Sequence, residues 1–306
     1  MLAVLAPGQG SQKPGFLTPW LALPGTADRL RQWSALADLD LVHLGTAADA
    51  DEIKDTARTQ PLLVAAALLA AEQLPLEHVG VVAGHSIGEL AAAAMAEVLT
   101  PEAAITLAAT RGREMAAACS VEPTGMTAVL GGDPEEVLAA VEATGLYPAN
   151  RNGAGQIVIA GALEKLEKFH AQPPAKAKLI RLQVAGAFHT PYMIGAQQAL
   201  ASAAEGVATA APGRTLLSNR DGHAVADGPE MLQRLVRQVT TPVRWDLCME
   251  TLRELGVTTI IELPPAGTLT GLAKRGLKGI RTIAVNTPDD LATARAAIAP
   301  TEEEPS

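Results

Sequence analysis

A short apolar run that meets a serine between two glycines constrains this chain more than any other feature. In the stretch VVAGHSIGELAAAA, Gly84 and Gly88 flank Ser86 in a G-x-S-x-G pattern. The apolar residues predict a buried strand over 79–83, and the alanines favour a helix over about 87–99. The pattern is that of a nucleophile elbow, where a helix dipole and free N–H groups stabilise negative charge. Ser86 is therefore the candidate nucleophile, and the alternative is a serine that only caps the helix.

Strand-like and helix-like runs alternate over most of the chain, which predicts a parallel sheet covered by helices. We expect this α/β unit to comprise residues 1–121 and 189–306. Its predicted strands are 2–6, 79–83, 215–218, 258–263 and 281–285, and its predicted helices are 61–74, 87–99, one that begins at 101, 191–205, 229–239 and 246–255.

The residues from 122 to 188 follow a different order, βαββαβ, which is the ferredoxin-like plan. We therefore expect them to form a small domain inserted into the larger one. Its predicted strands are 126–130, 146–150, 156–160 and 179–184, and its predicted helices are 134–144 and 162–170.

Composition and charge exclude several classes of protein. The 306 residues are 48% hydrophobic and 19% charged, which is typical of a globular chain with a large core. The net charge of −9 argues against nucleic acid or an anionic membrane as the main partner. Three features predict a cytoplasmic protein. The two cysteines are far apart in the chain, the first segment has no basic start, and no apolar run has membrane-spanning length. No metal-binding spacing of His and Cys is present, and the TEEEPS tail is expected to be disordered.

A serine nucleophile needs a base, and the chain contains six histidines. His189, in AGAFHTP, lies where the inserted domain returns to the large one, next to the expected cleft between them. His85 adjoins Ser86, so its side chain must leave the turn in another direction. His189 is therefore the candidate base, and the alternative is an ordinary loop histidine.

Two further features carry candidate chemistry. The glycine loop at 8–12 follows the first strand, and its N–H groups can complete an oxyanion hole with that of Ile87. The alternative is a plain turn, and the ending that a phosphate loop requires is missing. Leu107, Arg111 and Met115 share one helix face, so Arg111 is flanked by apolar residues. A buried arginine requires a carboxylate or phosphate partner, whereas a snorkelling arginine requires none.

Several motifs lie in a fixed order over nearly the whole chain: PGQGSQ at 7–12, TQPLLVAA at 59–66, GHSIGELAAA at 84–93, RG at 111–112, NGAGQIVIAG at 152–161, GAFHT at 186–190, QVTTPVRW at 238–245 and LTGLAKR at 269–275. In this order they resemble the malonyl-CoA:acyl carrier protein transacylases of bacterial type II fatty acid and polyketide synthesis. The resemblance implies an α/β-hydrolase-like large subdomain with an inserted ferredoxin-like small subdomain. The motifs do not distinguish the fatty acid pathway from the polyketide pathway, or one carrier from another.

The resemblance also implies roles for individual residues. Ser86 is the nucleophile, His189 is the base, and the main-chain carbonyl of Gln238 orients the histidine. Arg111 binds the free malonyl carboxylate, and a phenylalanine at position 188 accompanies malonyl rather than methylmalonyl substrates. The remaining positions are the oxyanion-hole N–H groups of Gln9 and Ile87 and the substrate-binding residues His85, Met115, Asn152 and Asn219.

By the same resemblance, the malonyl group moves from malonyl-CoA to the phosphopantetheine thiol of an acyl carrier protein through a malonyl-serine ester, in a ping-pong cycle. The coenzyme A thioester is a substrate, and no tightly bound cofactor or metal is implied. We expect a monomer. The stretch 263–288 contains no Asp or Glu, so Lys274 and Arg275 are candidates for docking the acidic carrier. Lys176, Lys178 and Arg181 form a competing basic patch.

One departure from the family pattern and two rival functions remain. The family carries Gly-Pro-Gly after its late strand, whereas this chain has Pro264-Pro265-Ala266-Gly267, which affects the expected loop shape. A serine hydrolase of this fold would order its triad Ser, Asp, His, with the histidine late in the chain. A carrier-binding scaffold would not need Ser86, His189, Gln9 and Arg111 together.

Overall fold

The computed structural model describes residues 1–184 and 186–299, so the expected disorder of the tail at 301–306 lies outside the described residues. A parallel sheet of five strands forms the centre of the large part of the molecule. Its strands are β1 Leu2–Ala6, β2 Val81–Gly84, β7 Thr215–Leu216, β8 Thr259–Glu262 and β9 Arg281–Ala284. They lie in the order β7-β2-β1-β8-β9.

Helices cover both faces of this sheet because its strands are apolar on both sides. Along β1, Val4 and Ala6 belong to one apolar cluster, and Ala3 and Leu5 belong to the cluster on the opposite face. The helices of the described chain, including α6 and α7 of the second sheet described next, are α1 Thr26–Ala37, α2 Leu41–Thr46, α3 Thr56–Ala71, α4 Gly88–Met95, α5 Pro101–Ala118, α6 Pro134–Ala143, α7 Leu163–Ala171, α8 Ile194–Ala204, α9 Gly228–Gln238, α10 Trp245–Glu254, α11 Thr268–Gly276 and α12 Leu291–Ile298.

A second, antiparallel sheet comprises the strands β3 Thr124–Gly131, β4 Tyr147–Gly153, β5 Gln156–Ala162 and β6 Ala177–Arg181. They lie side by side in the order β4-β5-β3-β6, and along the chain this part has the predicted βαββαβ order, with α6 and α7 as its helices. The predicted fold class, α/β-hydrolase-like with an inserted ferredoxin-like part, is thereby confirmed. The domain boundaries of 1–121 with 189–306 and of 122–188 stay a prediction.

The start of α3 corrects one sequence prediction. The helix begins at Thr56 rather than at residue 61, because the Asp55 side chain accepts a hydrogen bond from the Ala57 N–H and caps it. Pro61 therefore lies inside the helix and cannot bond the carbonyl of Ala57. Gly112 packs close to that carbonyl: a Cβ on Gly112 would lie 3.1 Å from the oxygen.

Two element ends also differ from the prediction. Helix α4 ends at Met95 rather than at 99, because Glu97 adopts a left-handed conformation and the Val98 N–H bonds back to the Ala93 carbonyl. Strand β6 ends at Arg181 rather than at 184. The three residues after it leave the sheet and line the cleft described below.

Among the described residues, no helix has both the length and the apolarity needed to cross a membrane.

Candidate active site

Ser86 lies in a strained turn between β2 and α4. Its φ is 53°, a left-handed value that is uncommon for any residue with a side chain. The flanking glycines are required for close packing rather than for their own φ. A Cβ on Gly84 would lie 2.0 Å from the Gly88 carbonyl carbon, and a Cβ on Gly88 would lie 2.3 Å from the Ala6 oxygen. The serine side chain is thereby held at the amino end of α4.

Neighbouring parallel strands bring two further loops to Ser86, because their carboxyl ends meet at one edge of the sheet. The loop after β1 carries Gln9, and the segment after β7 carries Asn219. The Ser86 N–H donates to Asn219 Oδ1 at 2.8 Å, and Asn219 Nδ2 donates to the Gly84 carbonyl at 2.8 Å. Within the described part of the chain, the N–H groups of Gln9 and Ile87 have no acceptor. Both are therefore available to an oxyanion.

His189 lies within hydrogen-bond distance of the serine. Its Nδ1 donates to the main-chain carbonyl of Gln238 at 2.8 Å, because a carbonyl can only accept. Its Nε2 is then unprotonated and accepts from Ser86 Oγ at 2.8 Å. His189 also has a left-handed φ, 59°. The structure thus brings together the predicted nucleophile, the predicted base and the predicted orienting carbonyl.

Burial of His189 lowers its pKa to about 3, and the positive charge of Arg111 acts in the same direction. The hydrogen bond to Gln238 acts in the opposite direction and is the weaker influence. His189 is therefore neutral at physiological pH and able to accept a proton.

Arg111 lies beside the serine and is 3% exposed. Its guanidinium donates to Gln60 Oε1 at 2.6 Å, to Gln238 Oε1 at 3.1 Å and to Ser86 Oγ at 3.2 Å. Burial lowers its pKa to about 10, so it stays charged at neutral pH. All three of these hydrogen-bond partners are uncharged side chains. Glu89 acts on the guanidinium only from a distance and raises its pKa less than burial lowers it, so no carboxylate or phosphate among the described residues bonds this buried cation directly.

Gln60 and Glu89 belong to this site but were not predicted from the sequence. Both are buried, and the Glu89 carboxylate accepts from the Asn219 N–H at 2.6 Å and from Gln238 Nε2. Burial raises the pKa of Glu89 to about 8. The available signal was polarity beside an apolar run: Gln60 directly precedes, and Glu89 lies near the start of, a run of residues with the pattern of a buried helix.

A cleft of about 430 Å³ opens above Ser86 between the two sheets. The strands β3, β4 and β5 form one wall, and the loops at the edge of the parallel sheet form the other. His85 Nε2 contacts Asn152 Oδ1 at 2.9 Å across the cleft, and burial lowers the pKa of His85. Phe188 and Met115 also line the cleft. The predicted substrate-binding residues therefore surround one space, except Asn219, which lies behind the serine.

Lys274 and Arg275 do not line the cleft. They are exposed at the carboxyl end of α11, whose first residues, Thr268 and Leu269, do line it. With 1.5 Å of rise per residue, Lys274 lies about 9 Å along the helix from Thr268. The Glu262 carboxylate caps this helix by accepting three N–H groups, from Gly267, Leu269 and Thr270.

Among residues 1–184 and 186–299, no group of His, Cys, Asp and Glu side chains could hold a metal ion. A serine at an elbow, paired with a neutral histidine inside an α/β-hydrolase-like fold, defines a class of serine-dependent acyl-transfer enzymes.

Comparison with known proteins identifies the family. The model of the acyl transferase domain matches residues 5–301. The malonyl CoA-acyl carrier protein transacylase of Mycobacterium tuberculosis is 57% identical over 296 residues, 95% of this chain and 98% of the relative. The crystal structure of the MCAT from the same organism has a TM-score of 0.93 and covers the same shares of the two chains. The chain therefore belongs to the acyl transferase family, among the malonyl CoA-acyl carrier protein transacylases.

A more distant relative was solved with its partner. Its structure is that of a type II PKS acyl-carrier protein in complex with its malonyl-transacylase. The likeness has 32% identity and a TM-score of 0.91, and it covers 97% of this chain and 99% of that one.

Proposed function

We propose that this chain transfers a malonyl group from malonyl-CoA to the phosphopantetheine thiol of an acyl carrier protein. The observation that carries the proposal is Arg111, a buried cation 3.2 Å from the nucleophile with neutral hydrogen-bond partners. The free carboxylate of a malonyl thioester supplies the missing anion and forms a bidentate, charge-assisted pair with the guanidinium. The names of the relatives agree with this substrate.

The first half of the reaction loads the serine. His189 Nε2 takes the proton of Ser86 Oγ, which attacks the thioester carbonyl carbon. The N–H groups of Ile87 and Gln9 hold the tetrahedral oxyanion, and each such donor contributes about 2.7–4 kcal/mol. The protonated His189, a strong acid because of its low pKa, returns the proton to the departing sulfur. Coenzyme A leaves, and malonyl-Ser86 remains.

The second half reverses these steps with a different thiol. The phosphopantetheine thiol gives its proton to His189 and attacks the ester carbonyl. The tetrahedral intermediate then expels Ser86 Oγ, which takes that proton back from His189, and the malonyl group remains on the carrier thiol. A main-chain carbonyl, rather than a carboxylate, stands behind His189. A serine hydrolase of this fold would instead have an acidic third residue and a histidine late in the chain, so this arrangement argues against the hydrolase alternative.

Substrate choice follows from the cleft wall. Phe188 is buried next to His189 and lines the cleft, so its ring crowds an α-methyl branch on the acyl group. Met115 lies one turn beyond Arg111 on the same face of α5, and it accepts a contact from Gln60 Nε2 at 3.5 Å. His85 and Asn152 present polar atoms toward the thioester side of the cleft. We assign these residues to acyl selection and thioester binding.

The carrier docks at the cleft mouth in our proposal. Lys274 and Arg275 are exposed, belong to the helix that borders the cleft, and lie in a stretch free of acidic residues. An acidic carrier would be attracted to this patch although the whole chain carries −9. We further propose that the chain acts in the cytoplasm as a monomer and without a tightly bound cofactor.

Intact-mass measurement tests the function. Wild-type protein mixed with malonyl-CoA should gain one malonyl group, and adding holo acyl carrier protein should transfer that group to the carrier. Ser86→Ala should gain no such mass, because the reacting oxygen is gone. Malonate release without carrier at the same rate as with it would identify a hydrolase instead. A stable malonyl adduct on the Ala variant would contradict the assignment of Ser86.

A further inference from the structure

Glu89 is a buried carboxyl group that has no part in the proton transfers described above, and burial raises its pKa to about 8, which keeps it largely protonated at neutral pH. It is the second residue of α4, three positions after the nucleophile, and it is 1% exposed. One oxygen accepts from the Asn219 N–H at 2.6 Å, and the other accepts from Gln238 Nε2. Glu89 therefore contacts two residues that touch the catalytic pair, Asn219 through the Ser86 N–H and Gln238 through His189.

The Gln238 side chain needs a defined direction. Its amide has a donor end and an acceptor end, and only the acceptor end can serve Arg111, whose guanidinium has five N–H donors. Gln238 Oε1 accepts from Arg111 at 3.1 Å, while Nε2 faces Glu89 and, at 3.3 Å, Asn219 Oδ1. Asn219 Oδ1 is itself fixed as an acceptor, because Nδ2 of the same amide donates to the Gly84 carbonyl. Both neighbours of Nε2 are thus acceptors.

We propose that Glu89 is a positioning residue that fixes the direction of the Gln238 amide, so that Gln238 Oε1 holds Arg111 in the orientation that reads the malonyl carboxylate. This inference rests on the proposed function and assigns part of its substrate specificity to Glu89. The route runs from Glu89 Oε2 through the Gln238 side chain to Arg111. The main-chain carbonyl of Gln238, which serves His189, lies outside this route.

Both oxygens of a carboxyl group can accept a hydrogen bond whether or not the group is protonated, whereas an amide nitrogen cannot, so Glu89→Gln preserves the shape and removes one acceptor. The Asn219 N–H is a main-chain donor that cannot turn, so the new amide must give it the oxygen. The NH₂ end of residue 89 then faces Gln238 Nε2, and two donors oppose each other. Turning the Gln238 amide relieves this contact but presents an NH₂ group to Arg111. In either case Arg111 loses the support of Gln238 Oε1 and keeps only that of Gln60 and Ser86.

The experiment measures kcat/KM for malonyl-CoA and acetyl-CoA, with holo carrier as acceptor. We expect Glu89→Gln to lower the malonyl value about tenfold, the size of one lost hydrogen bond to a charged group, and to leave the acetyl value within about twofold. In the Arg111→Ala background, Glu89→Gln should not change the malonyl-to-acetyl ratio further. Glu262→Gln is the matched control, since it alters another buried carboxylate that accepts main-chain N–H groups. Its malonyl-to-acetyl ratio should equal that of the wild type.

Two results would overturn the inference. Equal loss for both substrates would give Glu89 a structural or His189-directed role, and a further change of the ratio in the Arg111→Ala background would place its action elsewhere. If Glu89→Gln fails to fold, Gln238→Leu substitutes for it, because it deletes the amide and keeps the carbonyl that serves His189. That variant must then show the same selective malonyl loss. A wild-type protein that forms no malonyl-serine would contradict the proposed function instead.

Discussion

The inner wall of the cleft and its mouth both carry positive charge, but in opposite physical settings. We define the inner wall as Gln60, Ser86, Arg111, His189 and Gln238, and the mouth as Lys54, Thr268, Lys274 and Arg275. In the inner wall Arg111 is 3% exposed, whereas the Lys54 side chain at the mouth is 46% exposed.

This difference decides how strong each interaction is. A charge pair in a water-excluded site is screened little, whereas exposed pairs are weakened by water and salt and contribute about 0–1 kcal/mol. The inner wall is also prearranged, since hydrogen bonds to Gln60, Gln238 and Ser86 already fix Arg111. Changes in the inner wall should therefore alter substrate choice strongly. Changes at the mouth should alter carrier binding weakly and in a salt-dependent way.

Replacing Arg111 should produce the largest change of specificity. A charge-assisted pair contributes about 1.5–3 kcal/mol, so Arg111→Ala should lower malonyl kcat/KM roughly 10- to 150-fold. Acetyl transfer should rise, because an acetyl group no longer leaves a buried guanidinium unpaired. The measurement is kcat/KM for malonyl-CoA and acetyl-CoA with each variant.

Arg111→Lys is the matched variant for this comparison. It keeps the charge but lacks the planar fork, so it should recover only part of the malonyl activity. If the malonyl-to-acetyl ratio is the same in the wild type and both variants, Arg111 is structural and the carboxylate is read by another residue.

Phe188 should determine the discrimination between malonyl and methylmalonyl substrates. One methyl group contributes about 1–3 kcal/mol of discrimination in an apolar pocket. We expect the wild type to prefer malonyl-CoA, and Phe188→Ser to reduce that preference about tenfold by opening space for the branch. Phe188→Leu, which keeps an apolar side chain, serves as control. Equal kcat/KM for the two substrates in the wild type would remove this role.

The low pKa of His189 predicts a pH dependence of stability. Folded His189 has a pKa of about 3, against an ordinary value of 6.5, so between these values only the unfolded chain binds the proton. Its contribution to stability is therefore present above pH 6.5 and lost as the pH falls toward 3. The measurement compares the free energy of unfolding of the wild type with that of His189→Gln. We expect the difference between them to decrease by about 1.4 kcal/mol for each unit by which the pH is lowered below 6. A difference independent of pH would mean that the pKa of His189 is the same in the folded and the unfolded chain.

Parts of this fold could be predicted from the sequence because local sequence patterns specify them. The apolar strands, the Thr100 cap with Pro101 after it, and the βαββαβ order all appeared in the structure, since periodicity and caps are short-range signals. The start of α3 was missed because Pro61 reads as a first helical residue, whereas the cap was Asp55.

Only some residues of the site could be predicted from the sequence, for a related reason. Ser86 and His189 stand in recognisable local contexts, and Arg111 was singled out by its apolar neighbours. Gln60 and Glu89 act through contacts between residues far apart in the chain, 51 positions in the case of Arg111 and Gln60. No local pattern specifies such a contact, so the partners of a buried charge had to come from the tertiary structure.

The weakest expected effect, and the one that completes the comparison, is at the mouth. Reversing Lys274 and Arg275 to Glu should raise KM for the acidic carrier a few-fold, because exposed charges act through screened attraction. KM for malonyl-CoA and the malonyl-to-acetyl ratio should not change, because neither residue lines the cleft.

The matched control reverses Lys176 and Lys178, in the competing basic patch on and beside β6. The carrier effect should disappear as salt is raised, unlike the effect of Arg111→Ala, which is shielded from solvent. If only the control raises the carrier KM, the carrier docks on the β6 side of the cleft, while the division between a screened mouth and an unscreened inner wall would still hold.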